Sequence, residues 1–234
     1  MSKANPSEGE AFYRQVVAPC RWVVGLDEVG TGAFAGPIYM AATVVAPSFT
    51  YSGLCDSKDT TERSREEEHD RLVASIGPGR VFVACHSSTY LDRKGLHPTL
   101  LDLIAQLIDR AAATLSPDYE PSLFVIDGKL GPGILQVPNA SLLIIPKADT
   151  FVPACMASAN IAKVWRDRYM RAIEQDEPAP HEPPYRNFGF SGNKGYGTKQ
   201  HQLALERFGV TNEHRLSYRP VGAIAEARRR RPCG

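Results

Sequence analysis

The chain carries two kinds of hydrophobic pattern. Arg21 to Asp27 (RWVVGLD) and Ile38 to Val45 (IYMAATVV) are short apolar runs that read as buried strands. Ser122 to Asp127 (SLFVID) and Ser141 to Pro146 (SLLIIP) are continuous apolar runs, expected as central strands buried on both faces. Arg80 to Ser87 (RVFVACHS) alternates as a strand does. Helical spacing dominates elsewhere. Thr61 to Ile76 is charged and amphipathic. Pro98 to Leu115 repeats Leu100, Leu103, Ile104, Leu107 and Ile108 on one face. Phe151 to Ile173 lacks glycine, has Pro153 in its first turn and presents Ala154, Ala157, Ile161 and Val164 together. Thr198 to Phe208 reads as a short helix capped by Thr198. Met1 to Val17 is a short N-terminal extension with a helical turn, and Glu174 to Pro184 is a Pro-rich acidic loop. Close early strands followed by strands alternating with helices predict an α/β domain with a mixed sheet.

At 234 residues, 43% hydrophobic and 23% charged, the chain is long enough for one large domain with a substantial core, and disorder throughout is excluded. No charge occurs between Glu28 and Asp56, but Gly30, Gly32, Gly36, Pro37, Pro47 and Gly53 break that run. It reads as a loop and a buried strand, not a membrane span. The first residues lack the apolar stretch of a signal peptide, so a cytoplasmic protein is expected. Cys20, Cys55, Cys85, Cys155 and Cys233 are odd in number and widely spaced, which favours free thiols over disulfides or zinc. The net charge of +1 gives no basic excess of the kind nucleic-acid binders show. It conceals an asymmetry. Residues 186–231 hold ten Lys or Arg against three acids, a balance of +7, which leaves −6 for the remainder.

Candidate chemistry sits at strand ends. Asp27 and Glu28 close one apolar run, Asp127 closes another, and Asp149 follows a third. Each alone has a plainer reading, a solvated strand end for the first pair and a helix cap for Asp149. Ligand sites in α/β sheets lie at the carboxyl ends of strands. Four convergent carboxylates repel one another unless divalent cations lie between them, and all-oxygen donors suit Mg²⁺ or Mn²⁺. Asn193-Lys194-Gly195-Tyr196-Gly197-Thr198 is a further signal. Its glycines allow close backbone approach, its lysine suits a phosphate and its tyrosine suits a sugar or base; a generic Gly-rich turn is the plainer reading. His86, His201 and His214 read mainly as packing residues. Arg228 to Arg231 reads as a solvated tail or a phosphate contact.

Several blocks together resemble type 2 ribonuclease H (ribonuclease HII). They are GLDEVGTGAFAGP (25–37), DSK (56–58), FVIDG (124–128), KADTFVPACMASANIAKVWRD (147–167), NKGYGT (193–198) with His201, and HRLSYRPV (214–221). The resemblance implies a ribonuclease H-like α/β fold, a mixed central sheet flanked by helices with a small helical C-terminal part. It places an N-terminal extension at 1–20, a catalytic domain at 21–222 and a basic tail at 223–234. It implies endonucleolytic hydrolysis of RNA in RNA–DNA hybrids, including the 5′ side of ribonucleotides embedded in duplex DNA, leaving 5′-phosphate and 3′-OH ends. Carried over residue by residue, Asp27, Glu28, Asp127 and Asp149 are the catalytic and metal-binding carboxylates, with two Mg²⁺ or Mn²⁺ ions as cofactors. Gly30, Thr31 and Gly32 would read the 2′-OH through their backbone, and Tyr196 would pack on the sugar at the RNA–DNA junction. Ser57, Lys58, Lys147, Asn193 and Lys194 are further substrate-binding candidates. A monomer with no membrane association is implied. Two departures bear on junction specificity. Gly30-Thr31-Gly32 stands where Gly-Arg-Gly is common and is similar to type 3 ribonuclease H, and Asn193 stands where His is common. A type 3-like hybrid nuclease without single-ribonucleotide preference, an endonuclease V-like enzyme and a non-catalytic hybrid-binding module are the competing readings.

Overall fold

A computed structural model describes residues 6–51, 61–115, 122–128, 140–176 and 178–230. The elements in chain order are α1 (Pro6–Val17), β1 (Trp22–Val29), β2 (Ile38–Val45), α2 (Glu62–Ile76), β3 (Val81–His86), α3 (Ser88–Lys94), α4 (Leu96–Ala112), β4 (Ser122–Asp127), β5 (Ser141–Ile145), α5 (Pro153–Gln175), α6 (Phe190–Asn193), α7 (Lys199–Phe208) and α8 (Arg219–Arg229). The strands form one mixed sheet of order β3-β2-β1-β4-β5. β1 pairs with β4 and β4 with β5 in parallel. No helix among the described residues is long and apolar enough to cross a membrane.

The uncharged run explains β2. All eight of its residues are buried, as a strand in the sheet interior requires. β4 is likewise buried up to its last residue. β5 departs from the expectation of a central strand. It lies at the sheet edge and is only half-buried, because it has one neighbour instead of two. Thr61 and Thr198 cap α2 and α7, accepting from the Ser64 and His201 amides at 3.2 Å each. The helices α3, α6 and α8 lie outside the expected set.

The chain divides into two compact units. The first comprises residues 1–28, 40–84 and 103–164, the second residues 29–39, 85–102 and 165–234. In the first, α5 begins against the sheet through small side chains. Ala154, Ala157 and Ser158 are fully buried or nearly so. Ser158 Oγ donates to the Gly25 carbonyl at 2.8 Å, and Thr43 Oγ1 donates to the Ala154 carbonyl at 2.9 Å. Gly25 makes this approach possible, since a Cβ there would lie 2.3 Å from the Ala154 carbonyl carbon and 2.4 Å from the Cys155 nitrogen. Both atoms are backbone and cannot yield. Gly25→Val is therefore expected to abolish cooperative thermal unfolding followed by circular dichroism, whereas Gly192→Ala, whose Cβ meets nothing within 4 Å, leaves it intact. α1 joins this core through Tyr13 and Val17, and Cys20 follows just after it. In the second unit Met170, Ile173, Tyr185, Phe188, Phe190, Leu205 and Val221 form a separate core around Ala35.

Candidate functional site

The parallel register brings the acids together. Leu26 pairs with Ile126, so the next residues, Asp27 and Asp127, leave neighbouring strands side by side. Asp127 in turn pairs with Ile145, the last residue of β5. After β5 the chain reverses through Lys147, which adopts a left-handed conformation (φ 64°), into a 3₁₀ turn over Ala148–Thr150. That turn carries Asp149, which therefore caps no helix. It is fastened to β4, since the Ala148 amide donates to Asp127 Oδ1 at 3.0 Å. Asp27, Asp127 and Asp149 each offer a carboxylate oxygen, and these oxygens lie within 4.8 Å of one another.

Charge and burial conflict at this point. Asp27 is 7% exposed. Burial drives its carboxyl well above the usual carboxylate range, and the charges of Glu28, Asp127 and Asp149 push it further; the Glu28 amide, donating to Asp27 Oδ1 at 2.8 Å, opposes them. Glu28 is raised by burial and by Asp127 and Asp149, so it belongs electrostatically to the group without sharing the three-acid cluster. Asp127 is raised by burial and by Asp149, against the backbone amides of Ala148, Lys147 and Gly128. Mutually repelling carboxylates at one buried point form a donor set that fits a hard divalent cation. Cys155 lies beneath them, with its thiol donating to the Val125 carbonyl at 3.5 Å. It is fully buried, and burial pushes the thiol far up, so it is an inert packing group.

The second unit holds the Gly-rich loop and the Tyr196 turn. Residues 30–37 are gripped by two buried arginines. Arg166 Nε and Nη2 donate to the Pro37 and Ala35 carbonyls, each at 3.1 Å. Arg215 donates from Nη1 to the Gly30 carbonyl at 2.6 Å and the Thr31 carbonyl at 3.4 Å, and from Nε and Nη2 to the Gly36 carbonyl at 3.0 and 2.7 Å. Tyr218 Oη also donates to the Thr31 carbonyl. The loop's carbonyls are thus drawn inward onto guanidinium groups. Gly30 takes a positive φ of 91°, and a Cβ there would lie 2.2 Å from Arg166 Nε. Gly32, at the tip, is exposed. On the loop's other side the Phe34 and Ala35 amides donate to the Gly195 carbonyl at 2.8 and 3.1 Å. That pairing ties the loop to Tyr196, whose ring centre is 5.1 Å from the Arg166 guanidinium carbon.

A family model for ribonuclease HII matches residues 24–221. The chain belongs to the ribonuclease HII family. A ribonuclease HII from Ruegeria pomeroyi is 35% identical over 202 residues, covering 86% of this chain and 78% of that protein. Among solved structures, the ribonuclease H2 of Pyrococcus horikoshii OT3 superposes with a TM-score of 0.69 at 20% identity, covering 90% of this chain and 100% of that one. Bst-RNase HIII in complex with Mn²⁺ superposes with a TM-score of 0.66 at 19% identity, covering 99% of this chain and 76% of that one. These two establish the ribonuclease H-like fold. As a ribonuclease HII the chain is a metal-dependent endoribonuclease of RNA–DNA hybrids, which sets aside the endonuclease V-like and non-catalytic readings.

Within this ribonuclease HII, several residues differ from expectation. Lys194 is buried and its ammonium donates to the Ser191 carbonyl at 2.6 Å. Asn193 shapes the turn, accepting from the Gly195 amide at 2.8 Å and donating to the Phe188 carbonyl at 2.6 Å. Lys147 is exposed at the turn that delivers Asp149. Ser57 and Lys58 lie outside the described residues. Arg228 forms no free tail. It donates to the Glu206 and Arg207 carbonyls at 2.7 and 3.1 Å, satisfying the end of α7. Arg166 and Arg215 were not among the expected site residues. Their signal was the loop itself, with nine uncharged residues after Glu28 whose carbonyls need buried donors.

Proposed function

We propose that this enzyme cuts on the 5′ side of ribonucleotides embedded in duplex DNA as well as within longer hybrids, acting as a cytoplasmic monomer. The observation that carries the reading is the meeting of Asp27, Asp127 and Asp149 at the ends of in-register parallel strands. Asp27, Glu28, Asp127 and Asp149 would hold two Mg²⁺ or Mn²⁺ ions. Bound there, such ions acidify a water and stabilise the charge that develops on the leaving 3′-oxygen. The products would carry 5′-phosphate and 3′-OH ends. The protein's own part is to hold the carboxylates in register, so that little reorganisation is needed when metal and substrate arrive.

Recognition of the ribose falls to the second unit. The 2′-OH distinguishes RNA from DNA. The carbonyls of Gly30, Thr31, Ala35, Gly36 and Pro37 are held by Arg166 and Arg215 and the amides of Ala33 to Gly36 are bonded within the protein, so the reading assigns the ribose to the Gly30–Gly32 backbone at the exposed tip. Only Val29 separates this loop from Glu28 in the chain. Tyr196 is the side chain we assign to the sugar at the junction, with Lys147 and the 57–58 segment as backbone contacts.

The test is a cleavage assay with mapped ends. It compares DNA holding one ribonucleotide with an all-RNA hybrid strand, in Mg²⁺, in Mn²⁺ and in chelator. Cleavage of both substrates with either metal, and none in chelator, is expected. Tyr196→Ala should lower kcat/KM on the single-ribonucleotide duplex by on the order of tenfold more than on the hybrid, since stacking is worth about 1–3 kcal/mol. Equal loss on both substrates would remove the junction role. Cleavage confined to hybrids would favour the type 3-like reading.

A further inference from the structure

His201 and His214 are buried outright, at 0% and 2% exposure. They lie among aromatic rings, with Phe188 centred 4.7 Å from His214 and Phe190 5.5 Å from His201. Their hydrogen bonds form a line with one consistent direction. The Thr211 amide donates to His214 Nδ1 at 3.0 Å, and the Thr211 hydroxyl lies 2.9 Å from the same nitrogen. A backbone amide can only donate, so His214 Nδ1 carries no proton. The proton of the neutral ring then sits on Nε2, which faces His201 Nε2 at 3.1 Å. His201 Nε2 must accept, which leaves the His201 proton on Nδ1. That nitrogen lies 3.0 Å from the Tyr196 carbonyl, a group that can only accept. The two ends are set independently by groups with a single role, and they agree. A second proton on either ring would set N–H against N–H.

The line ends on the backbone of Tyr196 itself. Tyr196 lies between Gly195 (φ 78°) and Gly197, and follows Lys194 at φ 52°. Such neighbours leave the backbone many alternatives. Local amide bonds from Tyr196 to the Asn193 carbonyl and from Thr198 to the Tyr196 carbonyl, at 2.9 and 2.8 Å, close the turn, while the flanking Gly195 and Gly197 carbonyls accept from the Phe34 and Ala35 amides and from Gln202 Nε2, respectively. The His201 contact ties it to α7 and, through His214, to the Thr211 loop.

We propose that His201 and His214 are positioning residues that set the pose of Tyr196 and thereby the enzyme's preference for a ribonucleotide junction. The proposal rests on the reading of Tyr196 as the junction-facing side chain. It assigns the pair no contact with substrate or metal. The bare Nε2 of an Nδ1–H ring facing the Nε2–H of the other is the directional part of the device. A phenylalanine pair would fill the space without it.

Two measurements test it. Long-range ¹H–¹⁵N spectra of the full chain at pH 7 should show His201 as the Nδ1–H tautomer and His214 as the Nε2–H tautomer. His201 as the Nε2–H tautomer, or either ring cationic, would overturn the relay even if every variant failed to fold. Kinetically, His201→Leu should shift the single-ribonucleotide to hybrid ratio of kcat/KM by on the order of tenfold, the scale seen when a group orienting a site residue is lost. His201→Asn restores a donor at the Nδ1 position and should recover most of the ratio. A Leu variant that folds and keeps the wild-type ratio, while Tyr196→Ala changes it, would overturn the relay alone. If Tyr196→Ala leaves the ratio unchanged, the junction reading fails and takes this proposal with it.

Discussion

Asp27→Asn is expected to lose cleavage by about a thousandfold or more, the scale of removing a charge-stabilising group from an active site, and yet to melt higher than wild type in chelator. The substitution keeps Oδ1 in place to accept from the Glu28 amide. It removes one charge from a point where burial and three neighbouring carboxylates all oppose ionisation. The raised carboxyls of Asp27, Glu28 and Asp127 have a definite pH signature in the metal-free protein. Native values above the unfolded ones contribute stability that is full below the usual carboxylate range and is lost as pH rises through the native values. The Asn advantage in melting temperature should therefore be larger at pH 8 than at pH 5. His214 contributes an opposite slope. Burial pushes its imidazole down to about 3, so its contribution is present above pH 6.5 and is lost as pH falls toward that value. Comparing wild type with Asp27→Asn at each pH cancels this histidine effect. Adding Mn²⁺ should raise the wild-type melting temperature and raise that of the variant less. An active variant, or one less stable than wild type in chelator at pH 8, would contradict the assignment.

The strand ends were legible because burial leaves a plain trace. Apolar runs that stop at Asp27 and Asp127 mark where β1 and β4 leave the core. Their pairing was not legible, since register arises from contacts between runs a hundred residues apart. Asp149 illustrates the limit. Its position before a long helix leaves a cap as the plainer reading beside that of a metal ligand, and only the left-handed turn at Lys147, which fastens its 3₁₀ turn to Asp127, brings it to the other acids. Polar residues with partners distant in sequence were hardest. Lys194 and Arg228 carry charges that a sequence assigns to solvent or phosphate, but each donates to backbone carbonyls. α8 was hidden by its basic composition, although Pro220 near its start and the small residues Ala223, Ala225 and Ala227 suit a helix.

Arg215→Met should destabilise the protein by about 2–4 kcal/mol, because hydrogen bonds from a charged group to buried carbonyls are worth about 1.5–3 kcal/mol each and the removed desolvation cost offsets part of the loss. Methionine nearly matches the arginine stem in length, so the cavity term is small. The Gly30 and Gly36 carbonyls would be left buried without their guanidinium donor. Tyr218 would keep the Thr31 carbonyl satisfied, which makes the defect local to the two glycines. Those glycines have positive φ, at 91° and 82°, and relax easily once released. The functional loss should exceed the stability loss. A loop displaced by an ångström in the residues assigned to the 2′-OH can cost on the order of a hundredfold in rate. The expectation is thus a folded enzyme, checked by urea denaturation, whose kcat/KM on ribonucleotide-containing duplexes falls about a hundredfold. Arg215→Lys sharpens the test. Lysine keeps the charge but offers one compact ammonium where the guanidinium fork spans Gly30, Thr31 and Gly36. It should stay impaired if the fork's geometry holds the loop, and recover if a buried positive charge is all the site requires. Wild-type kinetics in Arg215→Met would show that the loop keeps its shape without the clamp.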